Sequence, residues 1–271
     1  MLSEQEIKDY FLLVNSHAKK ELGQNFLLNE DITKEIANSL SLQKDDSLLE
    51  IGPGLGSLTE FLINKTNKFV AVEYDEKFVR HLGLSFKNTN LNIVKNNILK
   101  FKDFEFNKIC GNLPYYISTD ILDYVISNFT NLEIGVFMVQ KEFYQRITTK
   151  DKKDIRPLNF LLEYAFNLEK ILNVNKNNFF PIPKVDSLVF KISKKKIDNN
   201  LFLELKKVLN CCFLNRRKTI FNNLKHFSNI IDVNEILKVS NINQNIRAED
   251  LNLKDFLNIT ENILKVKNNK I

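Results

Sequence analysis

From about residue 48 to residue 192, short apolar runs rich in β-branched and aromatic side chains alternate with stretches whose apolar positions recur at helical spacing. That is the rhythm of a sheet wound with crossover helices. Residues 47–51, 69–73, 91–94, 108–110, 134–139 and 188–192 read as strands, with 58–63 and 121–129 as intervening helices. Past Lys194-Lys195-Lys196 the strand pattern stops, and 201–214, 217–224, 233–238 and 253–266 carry helical apolar spacing. The expectation is an α/β fold, with a Rossmann-like sheet domain over 1–193 followed by a small all-helical domain over 194–271.

Composition narrows the function classes. A hydrophobic fraction of 44% over 271 residues is ample for a core, yet the apolar runs are broken by charge and fall short of the roughly 20 residues a membrane span needs. The first residues carry Glu4, Glu6 and Asp9 and lack the basic start and apolar stretch of an export signal. The reading is a soluble cytoplasmic protein. Cys110, Cys211 and Cys212 have neither metal-ligand spacing nor an obvious disulfide pairing, so they read as reduced thiols. His17, His81 and His226 lack ligand spacing too. A net charge of +6 suits a polyanionic partner. Its distribution says more: Lys194, Lys195, Lys196, Lys206, Lys207, Arg216, Arg217, Lys218 and Lys225 face only Asp198 and Glu204 within their stretch of chain. This local basic face is a candidate for RNA phosphates, with Arg216, Arg217 and Lys218 at its centre.

In Glu50-Ile51-Gly52-Pro53-Gly54-Leu55-Gly56 a strand runs into alternating glycines and then a helix. Such a turn lets backbone approach a ligand closely. About twenty residues further on, at the end of the next strand, Glu73 offers a carboxylate to the two hydroxyls of a ribose. Gly52, Gly54 and Glu73 together indicate an adenosine-containing cofactor. The pattern is GxGxG rather than GxGxxG, which favours S-adenosylmethionine, with no pyrophosphate to cradle, over a dinucleotide. A glycine turn also serves tight packing, so the motif does not stand alone.

The second motif is Gly111-Asn112-Leu113-Pro114-Tyr115, which follows the strand at 108–110 and so projects from the carboxyl edge of the sheet. The exocyclic nitrogen of adenine is a poor nucleophile because its lone pair is delocalised into the ring. The Asn112 side-chain oxygen and the Leu113 main-chain carbonyl can each accept one amino hydrogen, leaving the lone pair directed at a sulfonium methyl. Pro114 stiffens the loop by fixing its own φ, and Tyr115 offers a ring on which a splayed-out base can stack. Transfer of this kind needs orientation and no metal. In isolation Asn-Leu-Pro-Tyr is an ordinary turn; placed after a nucleotide-binding turn it reads as a catalytic loop.

These residues, with Leu22-Gly23-Gln24-Asn25-Phe26-Leu27, Phe179 to Ser187 (FFPIPKVDS), Asn215 to Leu224 (NRRKTIFNNL) and Arg247-Ala248-Glu249, make the chain resemble the KsgA/RsmA ribosomal RNA adenine dimethyltransferase family over nearly its whole length. The resemblance implies a methyltransferase sheet with an N-terminal cofactor-covering segment and a helical RNA-binding domain. It also implies transfer of methyl groups to the N6 amino groups of two adjacent adenines near the 3′ end of small-subunit ribosomal RNA, on a pre-ribosomal particle, by a monomer. By the same resemblance Asn25 and Leu27 would touch the methionine part of the cofactor, Asn112 would lie between cofactor and base, and Phe179 would stack on the base opposite Tyr115. One departure is Asn97, in Val94-Lys95-Asn96-Asn97-Ile98, where the family usually has an aspartate that accepts a hydrogen from the cofactor's adenine amino group. An amide oxygen can accept that bond without charge assistance.

The alternatives are a large-subunit RNA adenine methylase of the antibiotic-resistance type, a non-catalytic RNA-binding assembly factor or relative of mitochondrial transcription factor B, and a DNA adenine methylase. The Pro-Lys-Val-Asp-Ser and Asn-Arg-Arg-Lys-Thr segments favour the small-subunit type. An intact Asn112-Leu113-Pro114-Tyr115 favours retained chemistry.

Overall fold

Ser3 opens the first helix, α1 (Glu4–Leu13), through a capping box in which its hydroxyl accepts from the Glu6 amide while the Glu6 carboxylate accepts from the Ser3 amide. The chain continues through β1 (Phe26–Leu27), α2 (Glu30–Ser39), β2 (Ser47–Ile51), α3 (Thr59–Leu62), β3 (Lys68–Glu73), α4 (Glu76–Ser85), β4 (Leu91–Lys95), β5 (Lys108–Asn112), α5 (Ser118–Asn128), β6 (Ile134–Gln140) and α6 (Lys141–Thr148). It then runs through α7 (Pro157–Ala165), β7 (Phe166–Val174), β8 (Phe179–Phe180), β9 (Ser187–Lys194), α8 (Asn199–Cys212), α9 (Ile220–Leu224), α10 (Val233–Val239) and α11 (Leu253–Asn268). This computed structural model describes residues 1–19, 23–227 and 231–268. The chain divides into two units, Met1–Tyr144 with Leu168–Lys194 and Gln145–Asn167 with Lys195–Ile271.

The first unit is built on a seven-stranded sheet in the order β4-β3-β2-β5-β6-β9-β7. Its strands from β4 through β6 are parallel and β9 runs antiparallel to β6. Strands covered on both faces read as largely apolar runs; Leu48, Leu49, Ala71, Ile109, Cys110, Val136, Phe137 and Val139 are all buried. The chain winds from β2 outward to β3 and β4, then returns to place β5 on the other side of β2. That reversal opens a crevice at the carboxyl ends of β2 and β5, where open α/β sheets bind ligands. The α/β class and the six strands expected from sequence are present, each within a few residues of its predicted limits.

A separate two-stranded pairing joins β1 to β8, with Phe26 opposite Phe180 and Leu27 opposite Phe179. It brings together two motifs far apart in sequence. Around it Ile7 and Phe11 of α1 pack with Phe26, Leu55 and Phe78, which ties the N-terminal helix to the sheet.

The second unit is helical, as expected, but it gathers residues 145–167, which the sequence pattern assigns to 1–193. The reason is α7, in which Leu158, Phe160, Leu161, Leu162 and Ala165 are all buried, so its apolar surface needs partners on more than one side. Phe160 meets Phe256 of α11 edge-on at 4.9 Å and lies 5.9 Å from Phe213. Another correction concerns 217–224. The helix there is α9 alone, because Thr219 caps it by accepting from the Asn222 amide, leaving Arg217 and Lys218 in the turn before it.

Candidate active site

At the crevice between β2 and β5 lies a cavity of about 330 Å³, of the size that small-molecule sites occupy. Its floor is the glycine turn after β2. Gly52 and Gly54 have φ of +64° and +59°, a region that other residues enter only at a cost. Gly111, at the end of β5, approaches β2 so closely that a Cβ there would sit 2.5 Å from the Ile51 carbonyl oxygen. Any side chain at this position would clash with the β2 backbone unless the two strands moved apart.

Glu73, at the end of β3, lines the cavity and clamps the turn. Its Oε2 accepts from the Gly54 amide at 3.0 Å and its Oε1 from the Asp75 amide at 2.8 Å. Burial raises its pKa above the usual carboxylate range, against the lowering effect of those hydrogen bonds. Next to it Glu50, buried at 1% exposure, also lines the cavity. Burial pushes its carboxyl up to about 8, the hydrogen bond from Thr59 Oγ1 (2.7 Å) acts downward and the charge of Glu73 upward. The glycine motif by itself gives Glu50 no role, since nothing in its spacing distinguishes a buried strand-end carboxylate from an exposed one.

Asn25, Leu27 and Asn97 line the same cavity, together with Asn112 and Pro114. Leu22, part of the first quoted motif, lies outside the described residues. The Asn97 side chain also serves its own turn. Its Oδ1 caps the short turn at Ile98–Lys100 by accepting from the Leu99 amide at 2.9 Å. The oxygen expected to accept from an adenine amino group therefore already holds one hydrogen bond and has one lone pair left, while the other arm of the amide is a donor. An aspartate would cap with one oxygen and keep a second acceptor.

Asn112 is oriented by its own amide: Nδ2 donates to the Asn25 carbonyl at 3.2 Å, which leaves Oδ1 with no hydrogen bond among the described residues. The Leu113 amide donates to the Met138 carbonyl at 3.0 Å, and the Pro114 carbonyl accepts from the Ile117 amide and from Ser118 Oγ. The loop is thus held on three sides with Asn112 Oδ1 unengaged among the described residues, while Leu113 is buried and is not among the residues that line the cavity.

The aromatic residues are arranged differently from the expectation. Tyr115 is half-buried, its hydroxyl 2.7 Å from Ser187 Oγ, which anchors the loop to β9. Tyr115 is not among the residues that line the cavity, whereas its neighbour Tyr116, 59% exposed, is, together with Phe26, Tyr74 and Phe78. Phe179 is a correction. At 1% exposure it lies in the core cluster with Leu27, Ile36 and Val189, because its pairing in β8 opposite Leu27 turns it inward, and it presents no open face to a base.

In the second unit the basic residues divide. Arg217 and Lys218 are exposed, whereas Arg216 is half-buried and its guanidinium donates to the Lys153 carbonyl at 2.8 Å and the Lys152 carbonyl at 3.0 Å. The expectation that Arg216 faces phosphate is therefore not met. The turn that carries these residues is tied by Asn223, which donates to the Cys212 and Asn215 carbonyls.

Among the described residues no helix is long and apolar enough to cross a membrane, and no group of His, Cys, Asp or Glu is placed to hold a metal ion. Residues 15–265 match the family described as Ribosomal RNA adenine dimethylase. The chain is 39% identical to the Ribosomal RNA small subunit methyltransferase A of Malacoplasma penetrans, with 86% of this chain and 88% of that protein covered. It is 36% identical to the protein of the same name from Borreliella burgdorferi, over 90% and 88% of the two chains. Among solved structures, a dimethyladenosine transferase from Plasmodium falciparum superposes with a TM-score of 0.75 at 26% identity, covering 89% of this chain and 98% of that one. The 23S rRNA methyltransferase ErmE shares the fold, with a TM-score of 0.62 at 21% identity over 88% and 99% of the chains. On the match of residues 15–265 and on these relatives, the chain belongs to the ribosomal RNA adenine dimethylase family.

Proposed function

We propose that this chain transfers methyl groups from S-adenosylmethionine to the N6 amino groups of two adjacent adenines near the 3′ end of small-subunit ribosomal RNA, forming N6-dimethyladenosine on a pre-ribosomal particle in the cytoplasm and acting as a monomer. Membership of the family supports the reaction, and the names of the curated relatives support the small subunit. The observation that carries the mechanism is the Asn112 amide, fixed by its bond to the Asn25 carbonyl so that Oδ1 is an unengaged acceptor on the cavity wall.

The cavity suits the cofactor. The positive-φ turn at Gly52 and Gly54, the Glu73 carboxylate beside it and a volume of about 330 Å³ fit a nucleoside-sized ligand. Glu73 would hold the ribose with the lone pairs its backbone bonds leave free, Asn97 would border the adenine, and Asn25 and Leu27 the methionine part. S-adenosylmethionine, when bound, supplies an electrophilic methyl group. Asn112 Oδ1 and the Leu113 carbonyl accept the two amino hydrogens of the target base, which localises the nitrogen lone pair, and Pro114 keeps those acceptors preset. Tyr115, held by Ser187, and Tyr116 on the cavity wall are the aromatic groups available to a flipped-out base. Arg217 and Lys218 are the exposed cations for phosphate.

Transfer of tritiated methyl groups to small ribosomal subunits from an unmethylated strain, with mapping of the modified adenines, tests the assignment. Dimethylated adenines in the small-subunit RNA are the expected product. Label confined to large-subunit RNA or DNA, or no transfer at all, would overturn it.

A further inference from the structure

Residues 149–156 link α6 to α7 within the second unit, and no sequence motif singled them out. They form a compact turn. The Asp151 amide donates to Thr149 Oγ1, the Lys153 amide donates to Asp151 Oδ1, and the Asp151 main-chain carbonyl accepts from the Asp154 and Ile155 amides. Asx and hydroxyl contacts of this kind fix a loop without secondary structure.

Two contacts from distant parts of the sequence hold this turn in place. The Arg216 guanidinium donates to the carbonyls of Lys152 and Lys153, and Lys152 Nζ pairs with Asp250 at 2.9 Å. Arg216 is directed inward: its Nε is buried and has no partner among the described residues. Arg156 donates to the Lys153 and Ile155 carbonyls from the loop's own end. The consequence is a matter of charge. Lys150 and Lys153 are exposed and have no ion pair among the described residues, and Arg216 brings their loop against the turn carrying exposed Arg217 and Lys218.

We propose that the 149–156 loop is a second RNA-backbone contact of the helical unit, in which Lys150 and Lys153 meet phosphates, and that Arg216 is a positioning residue which presents this loop and touches no phosphate itself. The proposal rests on the reading of this unit as RNA-binding. A guanidinium fork suits the task because its parallel N–H groups can hold two adjacent carbonyls in one plane, which an ammonium group does not do. Through Arg216, the loop that carries Lys150 and Lys153 is joined to the turn that carries Arg217 and Lys218, and phosphate contacts by such cations are indifferent to base sequence.

Fluorescence anisotropy of the full chain with an RNA duplex of arbitrary sequence, repeated over a potassium chloride series, tests both parts. Replacing Lys150 and Lys153 together by Ala should raise Kd about tenfold and lower the slope of log affinity against log salt by about two, one for each lost contact. Both side chains are exposed, so this variant should melt like wild type. Arg216→Lys keeps the charge yet loses the fork, and should weaken binding as much as Arg216→Ala. In the background of the Lys150/Lys153 double variant, Arg216→Ala should add less than a further factor of about two, whereas Arg217→Ala should add its own loss, because only residues acting through one loop are non-additive. Arg216→Lys binding like wild type, or an unchanged salt slope on removal of the two lysines, would overturn the proposal. Absence of salt-dependent binding by the wild-type chain would overturn the RNA-binding reading itself, and the proposal with it.

Discussion

The loop at 111–115 and the turn at 215–218 were both read from short, ordered strings of residues, and they behave oppositely. At the sheet edge, neighbours in sequence converge on one cavity because a strand end fixes where the backbone points. Asn112 and Pro114 line it, and the carbonyl of Leu113 lies between them in the chain. In the basic turn, neighbours diverge: Arg216 binds main-chain carbonyls while Arg217 and Lys218 are exposed. A string read for its backbone geometry transfers well to three dimensions, whereas one read for its charge does not, since a long side chain is free to turn inward wherever it finds acceptors.

The largest test of the first half of that comparison is Asn112→Ala. Removing one preset acceptor should lower single-turnover methyl transfer by about 10²–10³ at saturating RNA and cofactor, while RNA affinity stays unchanged. Transfer at the wild-type rate would end the amino-group mechanism. A smaller loss is expected for Glu73→Ala, which removes both the ribose acceptor and the clamp on Gly54. Hydrogen bonds to a charged group contribute about 1.5–3 kcal/mol, so calorimetric Kd for the cofactor should rise by about one to two orders of magnitude. Equal affinity would mean that the carboxylate serves only the turn.

Asn97→Asp works in the opposite direction. Because the amide oxygen already caps Leu99, the aspartate would supply a second, charged acceptor and should tighten cofactor binding by a few fold. A marked loss would show that the donor arm of Asn97 is the one in use. The last effect is on stability rather than on binding or turnover, and concerns Glu50. Its carboxyl is raised to about 8 in the fold by burial, so the folded state holds a proton that the unfolded chain has released. Stability of the cofactor-free protein should fall as pH rises from the ordinary carboxylate range to about 8 and then level off. Glu50→Gln keeps an acceptor for Thr59 and removes the titration, so its melting temperature should vary less with pH over that window. An identical pH profile for the variant would place the titration elsewhere.

What the sequence alone determined is what depends on short-range physics. Apolar period specified the strands of the sheet and the helical character after residue 194, and glycine spacing located the turn over the crevice. The order of the glycine turn, Glu73 and Asn112 specified the cavity, because each sits at a strand end on one edge of a parallel sheet. Short caps and irregular strands were less legible: α1 depends on a Ser3–Glu6 capping box, and β7 alternates too poorly for a period to register. Only the tertiary structure decided which side chains stayed available. Phe179 is withdrawn from the site by pairing with Leu27, and Arg216 by carbonyls on a remote loop. Residues 145–167 joined the helical unit because α7 is apolar on too many sides to lie on one partner. Each outcome rests on contacts between residues distant in sequence or on competition for a hydrogen-bonding group, and neither leaves a period or a spacing in the chain.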